Sequence, residues 1–241
     1  MEGRTFGQYV LKVKPDAKIA VLFENDDYGK DFLVGLKEAL GDGSAKIVSE
    51  VSYELSDPTV SSQVISLKNS GADTLMEFAT PKFAAQAVRK LAEIEWKPLQ
   101  FVASPANSVK AMIEPAGVEN AQGIYTTQFT KQAGDPAWSD DPEVKEYVAF
   151  AEKYSHTVPS DFIALSGYIT AQAVAYVLQK CGDNITRENV LKQATSLRNQ
   201  RFKMHLPGIV LNNSAENYEP YTVLRMAKFE DSSWKVIGDG P

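Results

Sequence analysis

The residues best suited to chemistry stand in one short loop. After the continuous apolar run Ile19–Phe23 come Glu24, Asn25, Asp26 and Asp27, followed by Tyr28 and Gly29. Neighbouring carboxylate and amide oxygens could gather a hard cation. A tyrosine beside them offers an aromatic face for stacking and a hydroxyl for hydrogen bonding. A phosphate-accepting metal pocket of this kind would also need an aspartate after the third strand, where Ala79-Thr80-Pro81 stand instead. The acids are therefore read as a solvated loop that caps the next helix, and Tyr28 as the ligand contact.

Little else in the chain offers reaction chemistry. His156 and His205 are isolated in the sequence, without a second ligand at metal spacing. Gly41-Asp42-Gly43 follows a helical stretch and reads as its stop, not as a phosphate loop. No Gly-x-Ser-x-Gly turn and no paired nucleophile and base emerge. Cys181, the single cysteine, ends an apolar stretch and reads as a small buried hydrophobe. Trp138, Trp234 and Phe162 read first as core. The expectation is a binding protein and not an enzyme, with no cofactor and no metal.

The elements that would position Tyr28 repeat one pattern. Ile19–Phe23 has no polar alternation, as expected of a strand buried on both faces of a parallel sheet. Phe32, Leu36 and Leu40 then keep helical register. Residues 46–53 read as a second strand; a helix opened by Asp57-Pro58 and closed by Gly71 follows. Further strands are read at 74–78, 99–103 and 123–129, with a third helix marked by Phe83, Ala87, Leu91 and Ile94 and a short one around 109–113. Strands alternating with helices of this length imply a doubly wound parallel α/β sheet. Ligands of such sheets gather at the carboxyl ends of the strands. Thr80, Pro81 and Phe83 end the third strand, and Ser104, Pro105, Ala106 and Asn107 the fourth, so these residues can share a rim with Tyr28.

Elsewhere the pattern changes. Residues 5–14 read as a helix tail with Phe6, Tyr9, Val10 and Val13 on one side, stopped before Pro15. From Thr130 a loop carrying Trp138 leads into three helical stretches, 143–154, 164–180 and 187–197, with no strand between them. Residues 220–237 read as a β-hairpin turning at 230–233. The net charge of −6, without a clustered Lys/Arg stripe, argues against a nucleic-acid partner. Hydrophobic residues make up 44% and charged residues 23%, as in ordinary soluble domains. No apolar run approaches membrane-spanning length, and no signal-peptide pattern opens the chain.

Several stretches together resemble the extracellular solute-binding proteins of ABC transporters. They are Asn25-Asp26-Asp27-Tyr28-Gly29-Lys30-Asp31 after an apolar strand, Val51-Ser52-Tyr53-Glu54 with Asp57-Pro58-Thr59, Ser70-Gly71-Ala72-Asp73, residues 79–87 (Ala-Thr-Pro-Lys-Phe-Ala-Ala-Gln-Ala), and Leu206-Pro207-Gly208-Ile209 before the closing hairpin. The chain is similar to the branched-chain amino-acid-binding, type I periplasmic subgroup, particularly its aromatic-acid binders, N-terminally shortened. The resemblance implies one complete α/β lobe over 15–127 plus 206–241, with 1–14 and 128–205 as the helical part of an incomplete other lobe. It implies capture of a small organic carboxylate, aromatic or branched aliphatic, by hinge closure of two lobes. The partners implied are an organic acid or amino acid and a membrane permease, in the periplasm. An intracellular sensing or enzymatic domain of the same fold is the alternative.

The resemblance also places Phe162 in a region facing the cleft. In amino-acid-binding relatives an acidic residue near the fourth strand's end pairs with the ligand's ammonium, and Ser104–Asn107 contains no acid. A buried ammonium without a counter-charge is costly, which favours a carboxylate with an apolar or aromatic body. The helices of 143–197 carry more apolar residues than their own faces hide, so self-association through the incomplete lobe is expected.

Overall fold

Strand β1, Ile19–Glu24, lies inside a seven-stranded sheet and is buried along nearly its whole length. The computed structural model describes residues 1–155, 159 and 161–238. They form two units, one of Met1–Gln128 with Met226–Gly238 and one of Phe129–Arg225. The first unit holds β1 with β2 (Ile47–Tyr53), β3 (Thr74–Phe78), β4 (Leu99–Val102), β5 (Tyr125–Gln128), β6 (Arg225–Glu230) and β7 (Ser233–Val236). Their spatial order is β2-β1-β3-β4-β5-β6-β7. Strands β1 to β5 pair in parallel, and β6 with β7 is the antiparallel hairpin. This is the doubly wound arrangement the alternation predicts. The order reverses between β1 and β3, and such a reversal opens a crevice above the strand ends.

Both faces of the sheet are covered. Helices α1 (Glu2–Val13) and α2 (Asp27–Leu40) lay Phe6, Val10, Leu33 and Leu36 on Met76, Phe78 and Phe101. The spacing predicts the start of α1 at Thr5; in space it begins three residues earlier. This helix, expected in the other lobe, packs here along α2. Gly3 makes that approach: a Cβ on it would collide with the Phe32 carbonyl oxygen and stand 2.9 Å from the Leu36 amide nitrogen. The opposite face carries α3 (Ser61–Asn69), α4 (Pro81–Glu93), a wide helical turn over Val109–Ile113 and the single turn α5 (Glu114–Ala116). There Val64, Leu67, Ala84, Val88, Leu91 and Met112 meet Leu75 and Val102. Pro58 does not open α3. Asp57 accepts the Glu54 amide at 3.0 Å and closes a turn, which delays the helix to Ser61.

Glu77 of β3 is enclosed on this second face. One oxygen takes the Gln100 side-chain amide at 2.5 Å, and the other meets no partner among the described residues. Burial pushes its pKa up to about 8.

The second unit is built on α6 (Pro142–Tyr154), α7 (Phe162–Cys181) and α8 (Arg187–Ala194). Asp141, Asp161 and Thr186 cap them through their side-chain oxygens. Val144, Tyr147, Leu165, Ile169, Phe202 and Met204 form its core. Glu143 is the electrostatic hub: Arg201 reaches both of its oxygens at 2.7 Å, and buried Lys131 reaches it at 3.0 Å and Asp141 at 2.6 Å. These cations hold the Glu143 carboxyl down at about 2. Helix α7 has the length and hydropathy of a membrane span by composition, although Ser166, Gly167, Thr170 and Gln172 interrupt its apolar run. Ile163, Val174 and Leu178 of α7 are exposed, with Phe150 and Tyr154 of α6.

Candidate functional site

The loop after β1 is shaped by its helix cap. The Asp26 side chain accepts the Gly29 amide at 3.0 Å, so α2 starts directly on the strand end. A Cβ on Gly29 would collide with the Glu24 carbonyl oxygen, and this closeness requires glycine there. The turn carries the Tyr28 hydroxyl across the reversal between β1 and β3, where it donates to the Ala79 carbonyl at 3.4 Å. The Tyr28 ring meets Phe32 edge-on, with centroids 5.1 Å apart.

The acids of this loop separate in space. Asn25 donates to Glu54 at 2.5 Å. Glu24 turns inward, where its Oε2 accepts the Tyr53 hydroxyl at 2.7 Å and the Thr80 hydroxyl at 3.2 Å. The Thr80 amide in turn donates to the Tyr53 hydroxyl oxygen at 3.0 Å. Thus Glu24, Tyr53 and Thr80 tie the ends of β1, β2 and β3 into one network. Among the described residues no group of three His, Cys, Asp or Glu side chains converges on a metal position.

At the ends of β4 and β5 the organising side chain comes from the far end of the unit. Glu2, in the first turn of α1, accepts the Ser104 amide at 2.6 Å and the Thr127 hydroxyl at 2.7 Å on Oε1, and the Ser104 hydroxyl at 2.9 Å on Oε2. The residue as a whole keeps some exposure while its carboxylate is enclosed. Burial pushes that carboxyl up to about 7, against the lowering effect of its hydrogen bonds. Burial also pushes the Tyr28 phenol far above its usual range, and the charge of Glu2 adds to the rise, followed by Tyr53, Glu24 and Asp26.

The structure therefore gathers Tyr28, Thr80, Pro81 and Ser104 on one strand-end rim. The other expected contacts sit deeper or elsewhere. Phe83 is buried in the core with its ring 4.3 Å from that of Tyr53. Ala106 is buried, and Pro105 beside it is half-buried. Asn107 is buried as well; its carbonyl accepts the Trp234 indole at 2.7 Å and its amide reaches the Thr127 carbonyl at 3.4 Å. Phe162 opens α7 in the second unit, buried edge-on against Phe129 at 5.8 Å. His156 lies outside the described residues. His205 is buried, accepts the Phe202 amide on Nδ1 at 3.3 Å and meets the Tyr221 hydroxyl through Nε2 at 3.0 Å. Sequence reasoning missed Glu2, Tyr53 and Thr127. Tyr53 had a signal, because it ends a strand adjacent to β1; Glu2 had none, because only the fold brings it to Ser104.

Residues 1–230 match the family described as periplasmic binding protein. A curated relative, the Leu/Ile/Val-binding protein homolog 7 of Brucella abortus, is 26% identical over 167 residues, which is 68% of this chain and 41% of the relative. The chain thus spans less than half the length of that protein. Among solved structures, a branched-chain amino acid ABC transporter protein from Thermus thermophilus with bound valine superposes with a TM-score of 0.81 at 14% identity, over 99% of this chain and 64% of its own. A solute-binding protein from R. palustris in complex with benzoate gives 0.74 at 17% identity, over 98% and 61%. At these identities the likeness is one of fold.

Proposed function

The chain belongs to the periplasmic binding protein family, and from that premise we propose that it serves as the solute-binding component of an ABC importer. Its cargo is a small organic carboxylate with an aromatic or branched aliphatic body, carried through the periplasm to a membrane permease. One observation carries this reading. Tyr28, Thr80 and Ser104 stand on a single strand-end rim, at and beside the point where the strand order reverses, and open α/β sheets take their ligands there. The valine and benzoate bound to the two structural relatives support the size and class of the cargo. The family is one of substrate-binding transport proteins.

Titration calorimetry with valine, leucine, phenylalanine, benzoate and 3-phenylpropanoate tests the reading. At least one of them binds, and the double substitution Tyr28→Ala, Thr80→Ala weakens it by about 1–3 kcal/mol. Binding untouched by that substitution would move the site away from this rim. The exposed Phe150, Tyr154, Ile163, Val174 and Leu178 support self-association of the chain as well, since apolar patches of this kind are rare on monomers. Light scattering at low micromolar concentration then reports a species larger than one chain, and Val174→Glu reduces it. A monomer before and after that substitution removes this part of the reading.

A further inference from the structure

The amino ends of the strands, away from the cargo rim, hold a cleft of their own. Its volume is about 530 Å³, and it lies among the end of α4, the turn before β4 and the turn before β5, with Gln100 in its lining. Gln100 pairs with Leu75 across the strands, and Val102 with Glu77. Side chains two positions apart share a face of the sheet, so Glu77 and Gln100 lie together under α4. The Gln100 side-chain amide donates to Glu77 Oε1 at 2.5 Å, while the enclosed Oε2 meets no partner among the described residues. We propose that this cleft is a second ligand site, which takes a short aliphatic diamine: the inner ammonium rests on the Gln100 carbonyl oxygen with Glu77 behind it, and the outer one lies between Glu95 and Glu119.

Three features carry the inference. The first is the Glu77–Gln100 pair. A buried carboxylate with one oxygen unpaired is costly, and a cation close by offsets that cost. Gln100 relays the attraction. Its N–H end is taken by Glu77, which leaves its carbonyl oxygen for the cleft, and a hydrogen bond at one end of a chain strengthens the next.

The second feature is the charge around the cleft. Glu95 and Glu119 are exposed on its lining, and neither forms an ion pair among the described residues. Lys97 is the single cation on that lining. The third is the wall. Leu91 and Trp96 are apolar, and the Trp96 indole N–H is already taken by the Ala72 carbonyl at 3.3 Å. A methylene chain suits such a wall, whereas a bare monovalent ion would leave most of the cleft unfilled. A divalent metal is disfavoured, since among the described residues no three His, Cys, Asp or Glu side chains converge.

The test is calorimetry with 1,4-diaminobutane against two probes of similar length, 1,4-butanediol and succinate. It is run at about pH 8.5, above the value of about 8 for Glu77, so that its carboxylate is ionised. In the wild type the diamine binds about 10-fold or more tightly than either of the others. Glu77→Gln keeps the side-chain shape and removes the charge, and the diamine preference falls there while the diol binds as before. Glu95→Gln with Glu119→Gln weakens the diamine too. Glu152→Gln with Glu216→Gln, two exposed acids outside the cleft, leaves it unchanged, which separates a site from the general attraction of an acidic chain. A structural role for Glu77 would weaken diamine and diol alike, and that result overturns the proposal. So does a wild type that fails to bind the diamine or binds the diol as well, and so does an equal loss from the distant pair of substitutions. Should Glu77→Gln lose its cooperative melting transition, the cleft pair against the distant pair decides alone. The binding of leucine or benzoate at the cargo rim has no bearing on these outcomes, so the two readings stand or fall separately.

Discussion

Tyr53 is the residue on which the strand ends depend most. Its hydroxyl donates to Glu24 and accepts the Thr80 amide, and its ring lies on Phe83. Tyr53→Phe would keep the ring contact and strip both hydrogen bonds, leaving a buried carboxylate with one donor fewer and the Thr80 amide without its acceptor. A loss of about 1–3 kcal/mol in urea denaturation is expected, with weaker ligand binding through the displaced Thr80. A variant as stable as the wild type would mean that another group satisfies both sites. At this scale the sequence was a partial guide. The strand-end positions of Tyr28 and Thr80 are legible because each follows an apolar strand within a few residues. That of Glu2 is not, because local reading sees only neighbours along the chain, and 102 positions separate it from Ser104.

Among the elements, the α1–α2 pair shows how sharply backbone approach constrains sequence. Gly3→Ala places a methyl group against the Phe32 carbonyl, a rigid neighbour, and should cost about 1–3 kcal/mol by overpacking. Gly167 in α7 is the contrasting case, since a Cβ there meets nothing within 4 Å. Gly167→Ala should gain about 0.5–1 kcal/mol from helix propensity alone. Thermal denaturation of the two variants gives opposite signs if the helix pair is as close as described. The strands and long helices were legible because burial on both sheet faces produces unbroken apolar runs and the helices repeat every three to four residues. Their ends were less so. Asp57-Pro58 has the form of a helix start, yet the Asp57 side chain closes a turn on Glu54. The first residues of α1 carry no apolar signal, since Glu2 and Gly3 serve contacts with distant chain.

For the whole molecule, stability should depend on pH through two raised carboxyls, Glu77 and Glu2, and one lowered imidazole, His205. Glu77 is raised by burial from 4.5 to about 8. Its stabilising contribution is full below 4.5, declines above that as the unfolded chain ionises, and is lost as pH rises through 8. His205 is lowered from 6.5 to about 4, by burial first and then by the Arg201 charge. Its contribution is full above 6.5 and is lost as pH falls through 4. Melting temperatures recorded from pH 4 to 9 should therefore fall at both ends, and Glu77→Gln should make the alkaline arm shallower, leaving the part that Glu2 contributes up to about pH 7, while sparing the acid one. Parallel curves for variant and wild type would rule Glu77 out as the cause. The sheet order has a further consequence, for synthesis of the chain. Strands β6 and β7 extend the sheet beyond β5, yet the whole of Phe129–Leu224 separates them from β5 in the chain. On a ribosome, β5 emerges with its outer edge unpaired and keeps it so until the hairpin follows, for roughly 5–20 s at 5–20 residues per second. During that interval the nascent chain presents an open backbone edge of the kind other strands can join, so the danger of misassembly lies between the emergence of β5 and that of β6.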